Sequence, residues 1–161
     1  MKKLFNVLIV GLGKIGIEYD INKLSTKQIL THSKAFDTHN DFNLVGGVDV
    51  DDKKIKTFQI KYNKVGFTDL KKALSILKPD IVVISTPIEK LIEVFKKIVE
   101  TVTVKLVLIE KPISFDILEA KKLIVYAKSK GIEIFVNYMR RSDPNVCNIK
   151  QQINKYPIFF K

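Results

Sequence analysis

The sequence predicts an α/β fold, a doubly wound and mainly parallel sheet with helices on both faces. Three observations carry that prediction. Short apolar runs recur along the chain, amphipathic stretches separate them, and the glycine and polar clusters fall at the C-terminal ends of the runs. A strand buried on both faces shows no polar alternation, so continuous apolar runs indicate a parallel sheet between helical layers. Open sheets of this kind bind ligands at their carboxyl edge.

The first run, within Leu4–Val10, leads into Gly11-x-Gly13-x-x-Gly16, with Lys14 and Ile15 inside the motif. A strand, a glycine turn and a helix start in that order form a dinucleotide fingerprint, the mark of a Rossmann fold. Gly11 would permit the tight turn, Gly13 close approach to a pyrophosphate, and Gly16 close helix–strand packing. Three glycines in an ordinary turn are the alternative. Ile15–Asp20 is expected to begin a helix, and 21–31 reads as a lengthened polar connection. His32–His39 is a short helix, Phe42–Val48 a strand and Asp52–Tyr62 a helix with Ile55, Phe58 and Tyr62 inward. Val65–Phe67 is a short strand, and Thr68 or Asp69 caps the helix Leu70–Leu77 ahead of Pro79. Ile81–Ile84 is a strand. Leu91, Ile92, Phe95, Ile98 and Val99 then form a helical stripe. Val104–Ile109 is the fifth strand. Ser114 or Asp116 caps a helix burying Leu118, Leu123, Ile124 and Ala127, with Gly131 past its end. Ile132–Val136 is the last strand.

Length suits one domain. No apolar run reaches the roughly 18 residues that span a bilayer, and no cleavage-like sequence follows the first run, so neither a membrane span nor a signal peptide is expected. Cys147 is the single cysteine, which rules out an internal disulfide and fits a cytoplasmic setting. The formal net charge of +11 raises the question of nucleic acid. The lysines are spread over solvated helix faces, arginine occurs only at Arg140 and Arg141, and no aromatic platform interleaves with the charge. Nucleic-acid binding is therefore not expected. His32 and His39 lack a third ligand, so no metal site is expected. His32 is read as capping or lining the long connection.

Asp49 ends the second strand, where an acid can accept hydrogen bonds from ribose hydroxyls and repel a 2′-phosphate. NAD is favoured on that ground, while Lys53 and Lys54 leave NADP possible. Its distance from Gly16 exceeds the usual spacing of about 20 residues, which an insertion at 19–31 explains. The alternative is that Asp49 caps the next helix. Ser85-Thr86-Pro87 presents hydroxyl and backbone groups at a strand end, or forms a simple cap. Glu110-Lys111-Pro112 places a lysine where it could bind a substrate oxygen or move a proton. Tyr138 and Arg141 follow the last strand on the substrate side, or Arg141 and Asp143 fasten a linker.

The ordered set Gly11-x-Gly13-x-x-Gly16, Asp49, Ser85-Thr86-Pro87, Glu110-Lys111-Pro112 and Asn137-Tyr138 resembles the N-terminal half of the glucose-fructose oxidoreductase, inositol dehydrogenase and rhizopine-catabolism (Gfo/Idh/MocA) family. The segment Thr31–Phe36 resembles a branch linked to surface-polysaccharide sugars. The resemblance implies NAD(P)-dependent hydride exchange with a sugar-like alcohol or ketone. Gly11, Gly13, Gly16 and the intervening Lys14 and Ile15 would serve the pyrophosphate, and Asp49 the ribose. Ser85, Thr86 and Pro87 would line the cleft, with Glu110 near the nicotinamide ribose. Lys111 would be the catalytic, substrate-side residue, and Pro112 a bend that is often cis in relatives. Arg141 would sit at the crossover. Leu91 stands where many relatives have histidine. On this reading residues 1–137 form the nucleotide-binding domain. Residues 138–161 begin a substrate domain that the chain lacks, with Phe159 and Phe160 opening its first apolar run. A partner domain, a homo-oligomer and a sugar or sugar-nucleotide substrate are implied, as is the alternative of an inactive cofactor-binding or accessory protein.

Overall fold

The computed structural model describes residues 4–21 and 28–155. Its strands are β1 (Phe5–Val10), β2 (Phe42–Val48), β3 (Val65–Phe67), β4 (Ile81–Ile84), β5 (Leu106–Ile109) and β6 (Glu133–Val136). They form one parallel sheet in the order β3-β2-β1-β4-β5-β6. That order reverses direction between β1 and β4, which opens a crevice at their carboxyl ends. The helices are α1 (His32–Thr38), α2 (Asp52–Tyr62), α3 (Leu70–Leu77), α4 (Ile88–Thr101), α5 (Ile117–Ser129) and α6 (Pro144–Lys155).

Alternate residues of each central strand serve opposite faces. Leu8, Val10, Val82 and Ile84 join Leu74, Leu91, Phe95 and Ile98 in one core. Val7, Ile9, Ile81 and Val83 join Leu12, Ile17, Phe58 and Tyr62 in the other. The second layer stops short of the β6 edge, where Leu106 and Leu108 are half-buried and Phe135 is exposed. The expected caps Asp69 and Asp116 accept backbone N–H groups at the starts of α3 and α5, and Asp51 does so at α2, satisfying donors that the first turn leaves free. Asn63 and Lys78 end α2 and α3 in the left-handed region.

Several expectations fail locally. No α-helix opens at the glycine motif: residues 14–17 make turns, and Glu18–Asp20 form a single 3-10 turn. In α5 only Leu123 and Ala127 are buried, while Leu118 and Ile124 face outward. The fifth and sixth strands begin at Leu106 and Glu133, with Val104 and Ile132 buried just before them. Pro144–Lys155, within the segment read as a crossover and the start of a further domain, is a helix with no buried residue. Phe159 and Phe160 lie outside the described residues.

The two described ends of the long first connection meet at Asp20, whose buried carboxylate receives the Leu30 N–H (3.0 Å) and the Thr31 hydroxyl (2.7 Å), with the Lys34 ammonium 3.8 Å away. Lys61 donates to its main-chain carbonyl. Burial pushes the Asp20 carboxyl up, but the bonds from Thr31 and Leu30 and the charge of Lys34 outweigh it and leave the pKa below the ordinary 3.8. A carboxyl depressed by folding stabilises the fold above its unfolded pKa and ceases to do so as pH falls through the folded value. Urea unfolding at stepped pH is expected to show stability falling below about pH 4, with a shallower fall in Asp20→Asn.

Candidate cofactor site

The register of the sheet aligns the candidate residues. Val10 pairs with Val48 and Ile84, Ile84 with Ile109, and Ile109 with Val136. The residues that follow, Gly11, Asp49, Ser85, Glu110 and Asn137, therefore share one row at the carboxyl edge. Their N–H groups extend the ladder: Gly11 donates to Val48 (2.8 Å), Ser85 to Val10 (2.8 Å), Glu110 to Ile84 (3.1 Å) and Asn137 to Ile109 (2.8 Å).

The glycine turn is fixed by contacts within the protein. Gly11 has φ +97°, and a Cβ there would lie 2.6 Å from the Ser85 carbonyl oxygen. At Gly16 a Cβ would lie 2.3 Å from the Gly11 carbonyl oxygen. Gly16 thus lets the turn fold back on itself; the expected packing of a helix against the strand is not its role, since no helix starts there. Gly13 differs. A Cβ there meets only the Lys54 ammonium, at 3.8 Å. Among the described residues, the N–H groups of Gly13, Lys14, Ile15 and Gly16 have no protein acceptor. Consecutive free N–H groups beside a position with no side chain form an anion cradle. The residues present fit a pyrophosphate.

Asp49 does not cap α2, a role taken by Asp51. Its Oδ2 accepts the Leu12 N–H at 2.7 Å and its Oδ1 the Asp51 N–H at 3.0 Å, which fixes the carboxylate beside the glycine turn with further acceptor capacity on both oxygens. The Ser85 hydroxyl was expected to face the cofactor. It donates to the Gly11 carbonyl instead (2.8 Å), so it braces the turn. Thr86 Oγ1 is buried and, among the described residues, has no hydrogen-bond partner. Pro87 is exposed ahead of α4, and Leu91 is buried in the core.

On the other side of the crevice, Glu110 Oε1 lies 2.6 Å from His32 Nε2 and accepts the Asn137 side-chain amide at 2.6 Å. Burial pushes the Glu110 carboxyl up. Its bonds from His32 and Asn137 and its proximity to His32 outweigh that and hold it below the usual carboxylate range. An ionised Glu110 only accepts, so His32 Nε2 carries the proton. His32 does not cap α1. Thr31 is the cap of α1, its side chain facing the Lys34 N–H at 3.4 Å. The register position of His32 beside the glycine turn was not legible, because residues 17–31 separate the two in sequence. Lys111 is exposed, joined to Pro112 by a cis peptide bond. It lines an open cavity of about 710 Å³ with Asn137, Tyr138, Met139, Arg140 and Arg141. Small-molecule sites are commonly about 300–1,000 Å³. Tyr138 and Arg141 thus share one cleft with Lys111, while Cys147 Sγ faces the Arg141 carbonyl at 3.3 Å. Among the described residues no group of His, Cys, Asp and Glu could hold a metal ion.

Residues 5–138 match the oxidoreductase family with an NAD-binding Rossmann fold, Gfo/Idh/MocA. The sequence matches no curated protein. The fold is similar to that of scyllo-inositol dehydrogenase from Lactobacillus casei, solved with NAD(H) and scyllo-inositol. That likeness has TM-score 0.75 and 21% identity over 95% of this chain and 42% of that one. The WlbA dehydrogenase of Chromobacterium violaceum, solved with NADH and UDP-GlcNAcA, gives TM-score 0.78 and 19% identity over 94% of this chain and 40% of that one. Myo-inositol 2-dehydrogenase of Lactobacillus plantarum gives TM-score 0.78 and 18% identity over 95% and 42%. The chain thus spans about two fifths of the length of these solved structures. At such identities the likeness is one of fold.

Gly16→Ala is expected to destabilise the chain by about 1–3 kcal/mol, since backbone and not a flexible side chain must give way. Gly13→Ala is expected to leave the unfolding midpoint within about 0.5 kcal/mol. Paired urea denaturation curves check both.

Proposed function

Because the chain belongs to the Gfo/Idh/MocA oxidoreductase family and carries its NAD-binding Rossmann fold, we propose that it is the cofactor-holding part of an enzyme that moves hydride between nicotinamide and a sugar-like secondary alcohol or ketone. The observation that carries this is the free N–H cradle of Gly13–Gly16, with Asp49 fixed beside it at the switch point of the sheet. Gly13, Lys14, Ile15 and Gly16 would hold the pyrophosphate, and Asp49 the adenosine ribose. A carboxylate there disfavours a 2′-phosphate, so NAD is the expected cofactor. When bound, the nicotinamide supplies the hydride chemistry. Thr86 would give it a hydroxyl partner, and Glu110 would face the second ribose. Lys111 is assigned to the substrate oxygen, where an ammonium can stabilise developing negative charge or supply a proton.

Substrate choice belongs to the cleft of Lys111, Tyr138 and Arg141. An arginine fork there suits a carboxylate, phosphate or vicinal hydroxyls. A sugar or sugar nucleotide is the proposed class. Residues 1–137 are the proposed nucleotide-binding domain, and 138–161 the crossover toward a substrate domain. No helix among the described residues is long and apolar enough to cross a membrane, and a cytoplasmic setting suits a chain with a single cysteine. The second reading, cofactor binding without turnover, holds if Lys111 stays as exposed as it is in this chain, since hydride transfer needs close geometry and exclusion of water.

Titration of the 161-residue chain with NADH, followed by nicotinamide fluorescence, is expected to show saturable binding. Gly13→Leu should weaken it by more than about tenfold while leaving the unfolding midpoint nearly unchanged, because its side chain would enter only the cradle. Unaltered affinity in that variant would reject the cradle. Absorbance assays with sugars and sugar nucleotides, run on this chain joined to a substrate domain of the family, separate the two readings: turnover supports the enzyme, and binding without turnover the second.

A further inference from the structure

We propose that His32 is a positioning residue for the second nucleoside half of the cofactor, acting through Glu110; this rests on the NAD site argued above. A dinucleotide straddles the crevice where strand order reverses. Gly11 and Asp49, at the ends of β1 and β2, would take the adenosine side. The other nucleoside would then be held from the ends of β4, β5 and β6, where Glu110 is the acid of the edge row.

Glu110 is gripped from two sides. His32 from α1 and the Asn137 side chain past β6 both reach Oε1 at 2.6 Å. Oε1 thus has its two acceptor positions filled by protein, and Oε2 keeps capacity for a ligand hydroxyl. A glutamate so held loses less rotamer freedom when a ligand arrives, which favours binding.

His32 also reaches the other half of the site through its main chain. Its N–H donates to the Ile15 carbonyl (3.0 Å), and the Ser33 N–H donates to the Gly16 carbonyl (3.2 Å). One residue therefore sets the glycine turn and the Glu110 carboxylate relative to each other. Its own place is fixed by the Asp20–Thr31 bond immediately before it. His32 is buried, so its ring serves Glu110 and not solvent.

The test compares NADH with ADP, which lacks the second ribose and the nicotinamide. Calorimetric titration uses the full chain, His32→Leu and His32→Gln, with thermal unfolding of each. His32→Leu keeps the main-chain bonds and loses the ring donor. It is expected to weaken NADH about tenfold, the loss of one hydrogen bond to a charged group, and to leave ADP within about twofold. His32→Gln, which retains a side-chain N–H donor, should recover most of the NADH affinity. A purely structural role would weaken both ligands together. Equal losses, no loss for NADH, or no recovery in His32→Gln would overturn the proposal. If His32→Leu does not unfold cooperatively, His32→Asn takes its place, polar but too short to reach Glu110, with the same expectations. A wild-type chain that binds neither ligand overturns the cofactor site itself, and this role with it.

Discussion

The common level at which the parallel strands end is the constraint on which the rest of the structure depends. Five strands stop in register, so the next residue of each one meets its neighbours at a single edge. The ladder continues through that row, which is why residues far apart in sequence stand side by side. Parallel pairing produces this because every crossover returns the chain to the same end of the sheet. The reversal between β1 and β4 then leaves the crevice uncovered, and the helical layers occupy the faces.

The site is made largely of backbone held in place by side chains. The Ser85 hydroxyl spends itself on the Gly11 carbonyl, and Asp49 spends one acceptor on Leu12 and one on Asp51. These bonds cost little conformational freedom, since each bonded group is fixed already by the sheet or by a cap. The free N–H groups of the turn are what remains. In a chain of formal charge +11, the two acids of this edge row are satisfied, among the described residues, by N–H donors of the backbone, an amide and an imidazole, and not by lysine. Their acceptor geometry is therefore directional, as hydrogen bonds are and point-charge pairing is not.

Much of the fold was legible because its signals are local. Phe42–Val48, Asp52–Tyr62, Leu70–Leu77 and Ile81–Ile84 stand where the apolar pattern placed them, and the caps at Asp69 and Asp116 were readable as short-range acceptors. Leu118 and Ile124 misled because helical periodicity identifies an apolar stripe without saying whether another layer covers all of it. The turn after Gly13 misled because a glycine fingerprint usually opens a helix, and here the chain leaves after one turn to make the long connection whose described ends meet at Asp20.

The sequence by itself determined the parallel α/β class, the glycine turn and the identity of the groups at the strand ends, since each follows from local pattern or from a residue type with one suitable geometry. Only the tertiary structure decided what those groups do to one another. It turned Ser85 inward, gave the α2 cap to Asp51 and left Asp49 beside the glycine turn, and brought His32 onto Glu110 across 78 positions of sequence. Those pairings depend on strand register and on how the first connection folds back, and both are set by long-range packing of the two cores, which no stretch of residues encodes alone.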